Sequence, residues 1–339
     1  MKILYAIQGT GNGHICRAKE LLPEFEKYGD VDILVSGDQF HIELDREIKY
    51  EFKGLTLILG NHGGIDYYRT FAKNKLRRFI KEIQQLPIRK YDLVISDFEP
   101  ISAWACYLNN VECYGISNQF ALQSPGVPMP DKKDLIGRFI LNSYAPVTFT
   151  YGLHFKKYNR KLYTPIIRRQ IRDIQVSDDG HYTVYLTNYD EHSVALMLSA
   201  FPNTKWHVFS KSRSVILEQD NITFFPIDEE LYLKSFASCT GLITAAGFGS
   251  CSEALFLGKK LCVVPIKKQL EQKCNATALA EMGVTVLENF RLSQYTAIRH
   301  WIHASKPAPI NYPDNAAAIA FEIIEKKLET IPFEMEFSY

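Results

Sequence analysis

The sequence is short of most features that would place it outside the soluble enzymes. Its 339 residues carry 39 basic and 38 acidic side chains, a net charge of +1. The uniform positive field of a generic nucleic-acid binder is therefore missing. No stretch approaches the ~18 uncharged apolar residues of a membrane span. The N-terminal apolar run, ILYAI, stops at glycines and is shorter than the ~7–15 apolar residues of a secretory signal. There is no CxxC spacing. The seven cysteines (Cys16, Cys106, Cys113, Cys239, Cys251, Cys262 and Cys274) are odd in number and scattered, so neither a disulfide framework nor a zinc site is indicated. Most have apolar neighbours, as in LCVVP around Cys262, where a free thiol acts as a small hydrophobe. A reducing cytoplasm is the expected compartment. No tandem repeat is visible. With 46% apolar and 23% charged residues the chain also lacks the composition of a disordered protein.

What is present is an alternation of strand-like and helix-like segments. Strands are expected at 2–8, 31–37, 50–59, 91–97 and 111–117. Helices are expected at 15–28, 69–86 and 100–109. YDLVISD (91–97) is an almost continuous apolar run, as in a parallel strand covered on both faces. The stretch 123–150 reads as loop-rich, and 155–175 as basic and without strand pattern. The rhythm restarts at 181 and continues to 287, and residues 314–329 read as one further helix. The fold class is α/β, two doubly wound sheets. The expected division is 1–178, 179–312, and a C-terminal helix and tail (313–339) packing back toward the first domain.

Two glycine loops carry the chemistry. GTGNGHICR (9–17) follows the first strand and opens a helix. Glycines there let the backbone turn sharply, and helix-start amides can face an anion or a polar sugar. The alternative is a dinucleotide loop, but G-x-G-x-x-G is absent and no ribose-binding acid is clearly placed about twenty residues on, Asp38 being a late candidate. His14 lies just inside the helix start, where the dipole favours a neutral, proton-accepting imidazole; the alternative is a turn cap. Asp97 ends its strand at the same sheet edge. If that strand neighbours the first, in the common 3-2-1-4 order, Asp97 can approach His14 and orient its ring. It can equally cap the helix near Pro100.

The second loop, TAAGFGSCSEALFLG, has Gly247, Gly249 and Ser250 at a helix start, with Glu253 following. Its amides could hold a diphosphate, and Glu253 could receive two ribose hydroxyls. Gln269, Glu271, Gln272 and Asn275 gather at the next helix start, a polar cluster suited to a hydroxyl-rich ligand. Helix capping plus a solvated face is the alternative.

These residues resemble the inverting GT-B glycosyltransferases, the group of the UDP-glycosyltransferases and the MurG-type N-acetylglucosaminyltransferase. G-x-G-H-x-x-R is matched by Gly11, Gly13, His14 and Arg17. The donor signature is matched by Gly249, Ser250, Glu253, Gly258, Pro265, Glu271, Gln272, Asn275 and Ala276. The resemblance implies two Rossmann-like domains facing a central cleft. It implies transfer of a sugar from a nucleoside diphosphate, UDP foremost, to an acceptor hydroxyl, with inversion and without a metal or other cofactor. His14 would be the general base with Asp97 orienting it, and Glu253 would bind the donor ribose. Glu271 and Gln272 would contact the sugar, with Phe225 and Ile227 bracketing the base. Arg17 would supply charge near the leaving phosphate or lie at the surface. No DxD motif stands near a plausible donor site. Lys260 departs from the family's proline, and the loop at Thr187 and Asn188 lacks a glycine-serine run. A sugar-nucleotide epimerase of the same fold and a non-catalytic nucleotide-sugar-binding subunit are the alternatives.

The acceptor is expected to be a glycan, a lipid-linked molecule or a small molecule of the cell envelope, with Asn118 and Gln119 lining its side. The neutral total hides an asymmetry. Residues 1–180 carry 25 basic against 21 acidic side chains, and 181–339 carry 14 against 17. Basic runs at 69–90 and 155–172 are usually solvated faces. Here they raise the expectation of peripheral contact with anionic lipid at the inner face of a membrane.

Overall fold

The computed structural model describes residues 1–37, 44–55, 76–130, 135–267 and 269–330. The second half of the strand expected at 50–59, the first residues of the helix expected at 69–86, and the tail after 330 lie outside them.

The first half builds β1 (Lys2–Gln8), α1 (Asn12–Phe25), β2 (Asp30–Ser36), β3 (Tyr50–Phe52) and α2 (Leu76–Gln85). It continues with β4 (Leu93–Asp97), α3 (Pro100–Asn109), β5 (Tyr114–Ser117), α4 (Asn118–Ala121), α5 (Leu135–Ser143), β6 (Phe149–Leu153), β7 (Leu162–Tyr163) and α6 (Arg169–Arg172). The strands form one parallel sheet in the order β3-β2-β1-β4-β5-β6-β7. The β1–β4 register pairs Ile7 with Asp97, so both strands end at the same edge. Strands β6 and β7 and helix α5 fall where the sequence reads as loop or as a basic run. The three elements are short, and β6 and β7 lie at the end of the sheet, where a clear two-residue alternation is not demanded.

The second half contains β8 (His181–Tyr185), α7 (Glu191–Leu198), β9 (Lys205–Ser210), β10 (Leu217–Gln219), β11 (Ile222–Pro226), α8 (Glu229–Ser238) and β12 (Gly241–Thr244). Then come α9 (Phe248–Phe256), β13 (Lys260–Val263), α10 (Leu270–Glu281), β14 (Thr285–Val286), α11 (Tyr295–His303) and α12 (Ala316–Glu329). Its sheet runs β10-β11-β9-β8-β12-β13-β14, parallel except for the β10–β11 hairpin. Neither β10 nor α11 is expected from the sequence pattern.

Apolar strand residues bury on both faces of each sheet. Ile3, Tyr5 and Ile7 pack with Leu21, Leu22 and Phe25 of α1 on one side, and Leu4, Ala6 and the neighbouring Val94 pack with Ile101 of α3 on the other. The first of these cores runs on into the second half, where Phe155 packs on Phe248 with ring centroids 4.9 Å apart. Helix α12 crosses back to α1, and its Glu322 and Lys327 pair with Tyr163 and Glu112 of the first half. Residues at or just after the carboxyl ends of strands in both sheets line one gap between the halves.

Candidate active site

That gap is a cleft of about 490 Å³, within the range of small-molecule sites. Its first wall carries Gly11, Gly13, His14, Arg17, Phe98, Asn118 and Gln119. The opposite wall carries Ile227, Gly247, Gly249, Ser250, Glu253 and Glu271, and Arg168 reaches in from the connecting segment.

Both glycine loops open onto this space. A Cβ at Gly11, Gly13, Gly247 or Gly249 would meet no protein atom within 4 Å. Helix α1 starts at Asn12 and α9 at Phe248, and neither start is capped by a side chain. The first residues of α9, Phe248 to Ser250, line the cleft, and the dipole at a helix start favours negative charge.

The sheet register delivers the first charged group. Asp97 is fully buried at the end of β4, and His14 Nδ1 lies 2.7 Å from its Oδ1. The sequence leaves open whether Asp97 orients His14 or caps α3. The cap is supplied instead by Glu99, which accepts the amides of Ile101 and Ser102. Asp97 has a second partner, Arg17: its Nε donates to Oδ2 at 2.8 Å and a terminal nitrogen donates to Oδ1. Arg17 is only 8% exposed, which corrects the expectation of a surface residue. Its Nε and one terminal nitrogen are engaged by Asp97, and the residue lines the cleft. A terminal nitrogen of Arg17 also lies 3.0 Å from His14 Nδ1. Two donors cannot bond each other; both aim at Oδ1, which can only accept, so Nδ1 carries the proton that faces it. Burial pushes the Asp97 carboxyl upward, but the charges and hydrogen bonds of Arg17 and His14 outweigh it and hold it below the usual range.

Phe98, next in the chain, has φ of 53°, a left-handed conformation that a phenylalanine adopts at a cost. Its ring stacks on Tyr144 at 5.0 Å and lines the cleft beside His14. Sequence reading gives no signal for it.

On the opposite wall Glu253 does not stand alone. Arg168 donates Nε to Oε1 at 2.6 Å and Nη2 to Oε2 at 3.0 Å, and its Nη1 reaches Glu229 at 3.0 Å. The sequence shows Arg168 only as one of seven basic residues in a run. Glu271 is also bridged: Asn118 and Gln119, from the first half, donate their amides to its two oxygens at 3.1 and 3.0 Å. Asn118 and Gln119 from the first half and Glu271 from the second thus form one cluster across the cleft. Gln272 turns inward, where its Oε1 accepts from the Ile266 amide at 2.9 Å. Asn275 is buried and donates to the Ala246 carbonyl at 2.9 Å. Phe225 stacks on Phe209 at 5.1 Å. None of these three lines the cleft, whereas Ile227 does.

The profile of glycosyl transferase family 1 matches residues 1–304. The chain belongs to this family. An uncharacterized glycosyltransferase of Methanosarcina acetivorans is 24% identical over 325 residues, covering 84% of this chain and 82% of that protein. Among solved structures, Acinetobacter baumannii MurG superposes with a TM-score of 0.55 at 11% identity, covering 96% of this chain and 99% of that one. The spinosyn rhamnosyltransferase SpnG, complexed with thymidine diphosphate, gives 0.54 at 12% identity over 98% and 97%. The two-sheet architecture of this glycosyltransferase is that of the GT-B fold. Among the described residues no three His, Cys, Asp or Glu side chains gather as a metal set, and no helix is long and apolar enough to cross a membrane.

Proposed function

We propose that the protein transfers a sugar from a nucleoside diphosphate, UDP in the first instance, to an acceptor hydroxyl with inversion. The first half, to about residue 178, takes the acceptor. Residues 179–312 take the donor, and helix α12 (Ala316–Glu329) braces the first half from behind. The observation that carries this reading is the His14–Asp97–Arg17 group facing an uncapped helix start across the cleft.

In this mechanism His14 Nε2 takes the proton from the acceptor hydroxyl. The acceptor oxygen attacks the anomeric carbon as the bond to the diphosphate oxygen breaks. Amides at the start of α9 stabilise the charge growing on the departing diphosphate, a preorganised electrostatic effect. Asp97 stabilises the imidazolium and Arg17 keeps Asp97 aimed. Glu271, held by Asn118 and Gln119, meets hydroxyls of the transferred sugar, while Ile227 flanks the base and Glu253 faces the nucleotide sugar. Burial of the reacting atoms between the two walls suppresses donor hydrolysis.

Titrating nucleoside diphosphates by calorimetry tests the donor assignment; no binding by any of them would remove it. Product analysis with donor alone separates transfer from epimerisation. The acceptor reading includes a lipid-linked envelope molecule. Exposed Leu76 and Ile80 on α2, beside Arg77 and Lys81 on the same helix, support contact with an anionic surface at the cytoplasmic face. Sedimentation with anionic vesicles at low salt tests it, and a protein that stays in the supernatant refutes it.

A further inference from the structure

The pairing of Arg168 with Glu253 bears on which nucleotides fit. A carboxylate that receives the two adjacent hydroxyls of a ribose uses the forward lone pairs of both oxygens. An arginine fork uses the same two. Here the fork is made: Nε on Oε1 at 2.6 Å and Nη2 on Oε2 at 3.0 Å, with Nη1 tied to Glu229. The pair is enclosed, with Arg168 12% and Glu253 9% exposed at the side chain. Pulling the guanidinium off this enclosed carboxylate leaves Glu253 without a countercharge and Arg168 with Glu229 alone, a loss that a pair of neutral hydroxyls does not offset. What remains to a ligand is one lateral lone pair on each oxygen, on opposite sides of the carboxylate. Vicinal hydroxyls cannot reach both.

Resting on the donor reading above, we propose that Arg168 is a specificity-determining residue: it limits Glu253 to one nucleotide hydroxyl and makes the site indifferent to ribose versus 2′-deoxyribose. The substrate class widens to 2′-deoxynucleoside diphosphate sugars as well as their ribo counterparts.

Calorimetric titration with UDP, CDP, ADP and GDP, each beside its 2′-deoxy form, tests this on the full chain. The expected result is that whichever base binds does so with ribo and deoxy Kd values within about threefold. A hydroxyl hydrogen-bonded to a free carboxylate would instead give about tenfold or more in favour of ribose. That result would overturn the proposal while leaving the donor reading intact. If no nucleoside diphosphate binds, both fall together. The Arg168→Lys variant, checked for folding by its melting curve, keeps the positive charge without the fork. Its ammonium can hold one oxygen, so a ribo preference of about tenfold should appear. A folded variant that remains indifferent would show that Arg168 does not set the preference. If the variant does not fold, the wild-type comparison still decides against or for the proposal.

Discussion

Replacing Arg17 by methionine removes the guanidinium and keeps much of the side chain's apolar volume. The structure places Arg17 and Asp97 at 8% and 0% exposure, joined by a two-nitrogen fork. Removing one partner of a buried ion pair typically costs about 3–5 kcal/mol. At ~2–4 °C per kcal/mol for a domain of this size, melting should fall by roughly 6–20 °C. The sign with pH is a sharper check. In the wild type the folded-state pKa of Asp97 lies below its ordinary value. The stability it contributes is therefore present above that ordinary value and lost as pH falls through the lowered one. Without Arg17, burial dominates and pushes the carboxyl up. The group then favours the fold only below its ordinary value and loses that contribution as pH rises through the raised one. The melting deficit of Arg17→Met should therefore be larger at pH 8 than at pH 5, read by circular dichroism at both. A deficit below about 3 °C that is equal at the two pH values would refute the argument.

Other outcomes follow from the same geometry. Gln119→Leu removes one of the two amide donors to Glu271. It should weaken binding of a sugar nucleotide about tenfold while leaving the parent nucleoside diphosphate within twofold, and equal weakening of both would place Glu271 away from the sugar. His207 stacks on His181 with centroids 3.7 Å apart, and burial pushes its pKa down to about 4. Stability from the neutral ring is present above its ordinary pKa of 6.5 and lost as pH falls toward 4. His207→Phe should flatten the loss of melting temperature over that window; an unchanged acid limb would show that the histidine stack does not set it.

Strand order was the readable part of the site. The 3-2-1-4 arrangement places the end of β4 beside the end of β1, at one sheet edge, where Asp97 can approach His14. The glycine loops were readable because each follows a strand and opens a helix, the place where a backbone can approach a ligand. What the sequence could not show is how charges are spent once the chain has folded. Arg17 and Arg168 lie in segments whose composition fits a solvated face or a phosphate contact. Only the tertiary structure brings them to Asp97 and Glu253. Helical phase explains part of the donor cluster: Glu271 lines the cleft, while Gln272, one residue on, points about 100° away and satisfies the Ile266 amide. Asn275 shares the Glu271 side but sits one turn deeper, against the Ala246 carbonyl. The short strands β6 and β7 lacked a pattern long enough to read.

The most direct test of the central claim is sugar transfer by His14→Ala, followed as acceptor-dependent release of nucleoside diphosphate. The donor is one selected by calorimetry, and the acceptors are a mixture of envelope lipids, glycans and small molecules. Transfer should fall by ~100- to 10,000-fold, the usual contribution of a general base, while calorimetry gives an unchanged nucleotide affinity. A variant that transfers sugar at the wild-type rate would contradict the assignment of His14 as the base.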